Sequence, residues 1–129
     1  MAKHVVVWMD HKEARIFHVQ PDEVDQTNVA APHHNIHHKH PKGAGEEREH
    51  PDDAKRFFHD VARLLDASEE ILVVGPSTAK LEFLKYVHKH EHALEPKIIG
   101  IETGDHPTDG QIVAYAKKYF KRSDRMRGD

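Results

Sequence analysis

The amino-acid sequence predicts an α/β fold, because two kinds of periodicity follow one another along its 129 residues. Short apolar runs rich in β-branched residues, such as residues 4–9, are typical of buried strands. Segments with apolar residues at helical spacing come later, the first of them after Asp52. A polar segment over residues 31–51, rich in His, Gly and Pro, separates the two halves. Together these patterns predict one domain over residues 1–121.

The first part of the chain predicts three strands. Residues 4–9 are apolar, and residues 13–19 alternate, with Ala14, Ile16, Phe17 and Val19 as the apolar positions. The turn between them, Asp10-His11-Lys12, is short enough that the two strands must be antiparallel. Residues 23–30 alternate weakly and predict an edge strand.

The second part predicts alternating helices and strands. A helix from Asp52 precedes a buried strand over residues 71–74, which ends at Gly75-Pro76. A second helix over residues 78–90 is expected to bury one face. The apolar residues expected on the two helices are Ala54, Phe57, Phe58, Val61, Leu64 and Leu65, then Leu81, Leu84 and Val87, with Phe83 beside them.

The last elements are a strand, a helix and a tail. Residues 97–101 predict another buried strand, and a final helix is expected from Thr108 to about Lys121. Residues 122–129 predict a basic, flexible tail. Three antiparallel strands followed by two parallel ones, in the order β-β-β-α-β-α-β-α, predict a mixed five-stranded, ribonuclease-H-like sheet.

Composition excludes several classes of protein. The sequence has no cysteine, so disulfides, thiolate zinc sites and cysteine nucleophiles are excluded. No apolar run approaches the roughly 20 residues that span a bilayer, and the first residues do not resemble a signal peptide. We therefore expect a cytoplasmic protein that does not enter the membrane. No small-molecule substrate is indicated, and the oligomeric state is not predicted.

Positive charge is concentrated near the C-terminus, although the net charge is −3 with histidine neutral. One acid, Asp124, lies among six basic residues there. This composition predicts an electrostatic patch for RNA or the ribosome. The patch residues are Lys117, Lys118, Lys121 and Arg122, followed by Arg125 and Arg127.

The histidine-rich segment is the most unusual part of the sequence, which has 14 histidines. Neutral imidazoles bind zinc or nickel, and spacings of three and four place pairs on one face of a helical turn. Alternatively, the segment contacts RNA, or it is a polar loop that binds metal adventitiously. The candidate metal ligands are His33, His34, His37, His38 and His40. The RNA candidates are these histidines together with Lys39, Lys42, Gly43, Gly45 and Arg48.

Two predicted helix starts carry polar groups. Ser77, Thr78 and Lys80 follow a strand and could hold an anion, although Ser77 or Thr78 as a helix cap explains them equally simply. Thr108 and Gln111 have the spacing of a capping box, and Asp109 suits the positive end of a helix. A hydrolase or nuclease would use Asp10, Asp105 and His106. Buried strand residues offer no carboxylates for two metals, and no Gly-x-Ser-x-Gly motif is present.

Five motifs occur in a familiar order. They are Met9-Asp10-His11-Lys12-Glu13-Ala14-Arg15, then Lys42-Gly43-Ala44-Gly45, Phe57-Phe58, Gly75-Pro76-Ser77-Thr78-Ala79-Lys80-Leu81-Glu82-Phe83, and Ile98-Ile99-Gly100-Ile101. The series resembles the middle domain of archaeal and eukaryotic class I peptide-chain release factors and of Pelota, over roughly residues 4–120. It also resembles bacterial release-factor-like proteins described only as translational machinery proteins.

The resemblance implies a ribosomal role without catalysis. In the family, a Gly-Gly-Gln loop enters the peptidyl-transferase centre, and its glutamine helps water attack peptidyl-tRNA. Here Glu46 stands nearest to that glutamine, and Pelota-like members also lack it and do not hydrolyse peptidyl-tRNA. The resemblance therefore implies a single-domain, non-catalytic factor bound to ribosome or RNA, with a role in stalling, stress or hibernation.

Overall fold

A computed structural model describes residues 4–20, 22–31, 51–76, 78–105 and 107–126, with the backbone alone at 51–53 and 123–126. The described residues form five strands and three α-helices. In chain order these are β1 (His4–Met9), β2 (Glu13–Val19), β3 (Val24–Ala30), α1 (Pro51–Leu65), β4 (Glu70–Gly75), α2 (Ala79–His90), β5 (Ile98–Thr103) and α3 (Asp109–Met126). The histidine-rich segment, Ser77 and His106 lie outside the described residues.

The strands form one mixed sheet in the order β3-β2-β1-β4-β5. β1 pairs antiparallel with β2, in a register that places Met9 opposite Ala14. β4 and β5 join as parallel strands, β4 beside β1 and β5 beside β4. The predicted fold class is confirmed, because the element order and the mixed five-stranded sheet agree with the sequence prediction.

Two apolar layers cover the two faces of the sheet. Alternate residues of β1 point to opposite faces, as the period of two requires. Val5 and Val7 pack under α1 and α2, whereas Val6 and Trp8 pack under α3. Both sides of β1 and β4 are therefore buried, which explains their continuous apolar sequences.

The prediction of the C-terminal end was wrong for residues 122–126. α3 continues to Met126 rather than ending near Lys121, so the backbone of these residues is helical. The physical reason lies in the sequence, since neither Gly nor Pro occurs between Gly110 and Gly128. Basic side chains also favour the C-terminal end of a helix, where the macrodipole is negative.

The predicted buried faces of α2 and β5 were also partly wrong. α2 buries Ala79, Lys80, Phe83 and Val87, while the side chain of Leu81 is 49% exposed. Leu81 is two residues before Phe83, a rotation of about 200° around the helix. β5 is half-exposed rather than buried, with Ile101 42% exposed, because it lies at the edge of the sheet.

None of the helices in the described ranges has the length and apolar character that a bilayer-spanning helix needs.

Candidate nucleic-acid interface

The outer face of α3 carries the predicted electrostatic patch. Ile112, Ala116 and Phe120 recur every four residues and are buried against the sheet. The four basic residues of the patch with described side chains point away from this stripe, and all are exposed: Lys117, Lys118, Lys121 and Arg122. Since the sequence from Gly110 to Arg122 contains no acidic residue, this part of α3 itself contributes only positive charge to the face.

A capping box fixes the start of α3. The Thr108 hydroxyl oxygen accepts a hydrogen bond from the Gln111 amide at 3.1 Å. In return, the Thr108 amide donates to the Gln111 side-chain oxygen at 2.9 Å. The two bonds satisfy two backbone donors that a helix start otherwise leaves without partners, as the spacing in the sequence predicted.

Arg15 of β2 holds the same helix start from the side. Its guanidinium group donates to the Asp109 carboxylate at 2.6 Å and to the Pro107 carbonyl at 3.3 Å. The group also lies over the Trp8 ring, 4.3 Å from the ring centroid. The hydrogen bond from Arg15, which outweighs the opposing effect of burial, lowers the pKa of the Asp109 carboxyl. Asp109 is therefore a structural anchor as well as a favourable charge at the helix start.

A second set of contacts fixes the middle of α3. The Tyr119 hydroxyl donates to the Ile99 carbonyl of β5 at 3.3 Å. Gly100 leaves the space for this contact, because a Cβ atom there would overlap the Tyr119 hydroxyl oxygen. Phe120 stacks on His4 with ring centroids 4.3 Å apart. The basic face is therefore presented by a helix that is attached to the sheet at both its start and its middle.

Tyr115 is a feature of this face that the sequence reasoning missed. It lies one helical turn before Lys118, and its side chain is 44% exposed. Burial of part of the ring and then the negative charge of Glu102 on β5 raise the pKa of the Tyr115 phenol. The sequence did contain a signal for Tyr115, because this residue precedes Lys118 by three positions and Arg122 by seven. The helical period alone, however, does not show that its side chain lies at the surface.

The predicted anion site at the start of α2 has a different local structure from the one expected. The Thr78 hydroxyl donates to the Glu82 carboxylate at 3.2 Å, and no side-chain cap bond is formed. The Lys80 side chain is buried, with 5% exposure. Because the Thr78 hydroxyl already donates to a carboxylate, it is less available to a bound anion than the sequence suggested. Whether an anion binds there stays a prediction.

The residues predicted for hydrolysis have structural partners. The Asp10 carboxylate accepts from the backbone amides of Lys12 and Glu13 at 2.8 and 2.9 Å, which stabilises the β1–β2 turn. The Asp105 carbonyl accepts from the indole N–H of Trp8 at 2.9 Å. His106 lies outside the described residues. Asp10 therefore has a structural role that needs no catalysis to explain it.

Other histidines pair with single carboxylates. His11 lies 3.2 Å from Glu82, and His88 lies 2.8 Å from Glu95. In the part of the chain that the structure describes, no three His, Cys, Asp or Glu side chains are grouped as metal ligands. The predicted metal ligands at residues 33–40 lie outside the described ranges, so zinc or nickel binding stays a prediction.

The strand order and the placement of the helices define an α/β domain of ribonuclease-H-like topology, with a basic last helix. Neither a protein-family model nor a curated protein matches the sequence. Solved structures do match. Pelota from Archaeoglobus fulgidus is 14% identical with a TM-score of 0.63, over 90% of this chain and 31% of that chain.

Two further structures have a similar fold. The archaeal translation termination factor aRF1 is 14% identical with a TM-score of 0.59, over 97% of this chain and 39% of that one. Dom34 of S. cerevisiae, a translation termination-like factor involved in RNA quality control pathways, is 9% identical with a TM-score of 0.54. That match covers 98% of this chain and 39% of Dom34.

These matches confirm the predicted resemblance to Pelota and archaeal release factors as a likeness of fold. This chain spans less than half the length of each of these three proteins. At such low identity the likeness concerns the fold alone, and function must be argued from the chain's own residues.

Proposed function

We propose that this protein is a non-catalytic, translation-related factor that associates with the ribosome or RNA through the basic face of α3. The observation that carries the proposal is the exposure of Lys117, Lys118, Lys121 and Arg122 on a stretch of α3, residues 110–122, that contains no acidic residue. Lysine and arginine that neutralise phosphates release counterions, which supplies most of the affinity for RNA that does not depend on sequence.

Three observations support the other parts of the proposal. In the described ranges, none of the four basic residues forms an ion pair, so their charges are available to a polyanion. The likeness of fold to Pelota and a translation termination factor supports a setting in translation. The structural role of Asp10 supports a function without hydrolysis. A role in stalling, stress or hibernation is part of the proposal.

The predicted second contact is the histidine-rich segment. Its residues remain candidates for RNA or, alternatively, for zinc or nickel. In the RNA interpretation, residues 33–48 make a second contact with RNA, in addition to the one made by α3.

The test is co-sedimentation with ribosomes over a salt series, with a matched pair of double variants. Lys117→Gln/Lys121→Gln removes two cations from α3. The control, Lys85→Gln/Lys89→Gln, removes two exposed lysines with the same four-residue spacing from α2. We expect the α3 variant to bind more weakly and to lower the slope of log K against log salt by about 1.5, since each lost phosphate contact contributes roughly 0.7–0.9.

The outcomes distinguish an interface on α3 from a general response to net charge and from metal binding. Equal loss in both double variants would indicate a response to net charge alone and contradict an interface on α3. No binding by the wild type at any salt would overturn the proposal. A third variant, His33 to His40 replaced by serines, is compared with and without a chelator. Binding that depends on these histidines and on metal, but not on salt, would favour the metal interpretation.

A further inference from the structure

Tyr115 differs from the other large apolar side chains that are exposed. Among the residues with described side chains, those are Leu81 on α2 and Ile101 on β5, at 49% and 42%. Tyr115 alone among these three lies beside the basic face, three residues before Lys118 and seven before Arg122. Arg122 is close enough to act electrostatically on the Tyr115 phenol.

The Tyr115 ring has neighbours on β5 and on α3 itself. The negative charge of Glu102 on β5 acts on the phenol and raises its pKa. The Tyr115 ring lies 6.3 Å from that of Tyr119, which meets Phe120 edge to face at 5.9 Å. Three aromatic rings thus connect the buried core to the surface. A ring restrained in this way loses little rotational freedom on binding a partner, so less of the contact free energy is spent on ordering.

Deepening the proposed function, on which this inference rests, we infer that Tyr115 is a stacking platform for one unpaired base of single-stranded RNA. The phosphates of that strand lie along Lys118 and Arg122. An aromatic face beside cations is the arrangement by which proteins bind single strands without reading their sequence. Double-stranded RNA keeps its bases stacked within the helix and is recognised through its shape and backbone, so it has no base to offer this ring.

The test compares three probes by fluorescence anisotropy: a single-stranded RNA, its duplex, and an abasic strand of the same length. The abasic strand carries the same phosphates but has no base to stack. We expect Tyr115→Ala to weaken binding of the single-stranded RNA about 5-fold or more. Binding of the duplex and of the abasic strand should stay within about 2-fold of the wild type, because no phosphate contact is lost.

Two matched variants isolate the ring. Tyr115→Phe keeps the stacking face and removes only the hydroxyl, so it should retain most of the affinity. Leu81→Ala removes an equally exposed apolar side chain from α2 and should have no effect. Lys118→Gln/Arg122→Gln should instead lower the salt slope by about 1.4 on every probe, since single strands contribute roughly 0.7 for each contact.

Several results would overturn the inference. They are wild-type affinity in Tyr115→Ala, equal loss on the abasic strand, or loss in Tyr115→Phe as large as in Tyr115→Ala. If poly-glutamate bound as tightly as RNA and lost as much affinity in Tyr115→Ala, the surface would fit an acidic peptide instead. If RNA binding depends on salt but is unchanged in Tyr115→Ala, the stacking platform is contradicted and the proposed function still stands. If the wild type does not bind RNA, both the platform and the proposed function are contradicted.

Discussion

α2 and α3 pack on opposite faces of the same sheet, and their exposed surfaces differ in how charge is arranged. On α2 and the turn that follows it, acidic and basic residues are interspersed, and Glu95 lies 2.8 Å from His88. On α3, Asp109 at the start pairs with Arg15, and the turns from Gly110 to Arg122 contain no acidic residue. Carboxylates therefore lie among the basic residues of α2, whereas this part of α3 contributes basic residues only.

The difference shows that the contacts between α3 and the rest of the fold lie at the start and the middle of the helix, and that its outer face stays exposed. Paired surface charges contribute little to stability, about 0–1 kcal/mol for each exposed pair. Unpaired cations held on a fixed helix instead raise the local potential that a phosphate backbone meets. The following predictions test whether α2 and α3 really differ in this way.

The largest effect is expected from removing the buried anchor of each helix. Phe83 of α2 and Phe120 of α3 are 0% and 2% exposed. Truncation of either phenylalanine to alanine should lower the free energy of unfolding by about 3–5 kcal/mol, because it leaves a cavity in a packed core. Denaturant unfolding measures this loss.

The comparison becomes sharper when RNA binding of the same two variants is measured at a temperature where both stay folded. Phe120→Ala should weaken binding because it loosens the helix that presents the cations. Phe83→Ala should not. Similar RNA affinity in both variants would show that the fixed position of α3 does not matter for binding.

A smaller effect is expected from the two threonines at the helix starts. Thr108→Ala removes the capping box of α3 and should cost about 1 kcal/mol. Thr78→Ala on α2 removes only an exposed bond to Glu82, since Thr78 makes no cap bond, and should cost less than about 0.5 kcal/mol. Thermal unfolding of both variants checks the difference, and an equal loss would contradict the assignment of caps.

The smallest effect concerns pH. The pKa of Asp109 is lowered in the folded protein, first by its hydrogen bond from Arg15. Its contribution to stability is therefore present above the unfolded pKa of about 3.9 and is lost as the pH falls through the folded pKa. Asp109→Asn should be slightly less stable than the wild type at pH 7, by less than about 1 kcal/mol since the carboxylate is half-exposed.

The difference between Asp109→Asn and the wild type should shrink as the pH falls below the unfolded pKa of about 3.9, and it should vanish only below the lowered folded pKa, where the wild-type carboxylate is protonated in both states. Chemical unfolding at pH 7, 5 and 3 provides the measurement. Glu95→Gln, in the turn that follows α2, serves as the control, because its pair with His88 is exposed on both sides. A gap between Asp109→Asn and the wild type that is constant with pH would mean that the carboxylate acts through shape rather than charge.

Much of the fold could be predicted from local patterns. The bounds of β1 and β2 agree with the prediction, because each apolar run ends at a turn that Asp10 stabilises from within the same few residues. The capping box of α3 was also visible in the sequence, since its two bonds join residues three apart. These features depend on neighbours in the chain, which a sequence displays directly.

Other features depended on residues far apart in the chain. Leu81 and Ile101 are apolar, and nothing near them in the sequence indicates that Leu81 lies opposite the buried face of α2 or that Ile101 lies on an edge strand. The contact between Arg15 and Asp109 joins β2 to α3 across 94 positions. Tyr115 belongs to the candidate site because Glu102 and Arg122 surround it, and Glu102 lies on a different element.

The sequence by itself determined the element order, the mixed sheet, the capping of α3 and the concentration of basic residues near the C-terminus. Each of these follows from periodicity, composition or spacing within one element. Only the tertiary structure decided which face of each helix is buried, that β5 lies half-exposed at an edge, and that Tyr115 joins the basic face. Burial and surface electrostatics depend on what packs against a residue, and distant segments of the chain supply those neighbours.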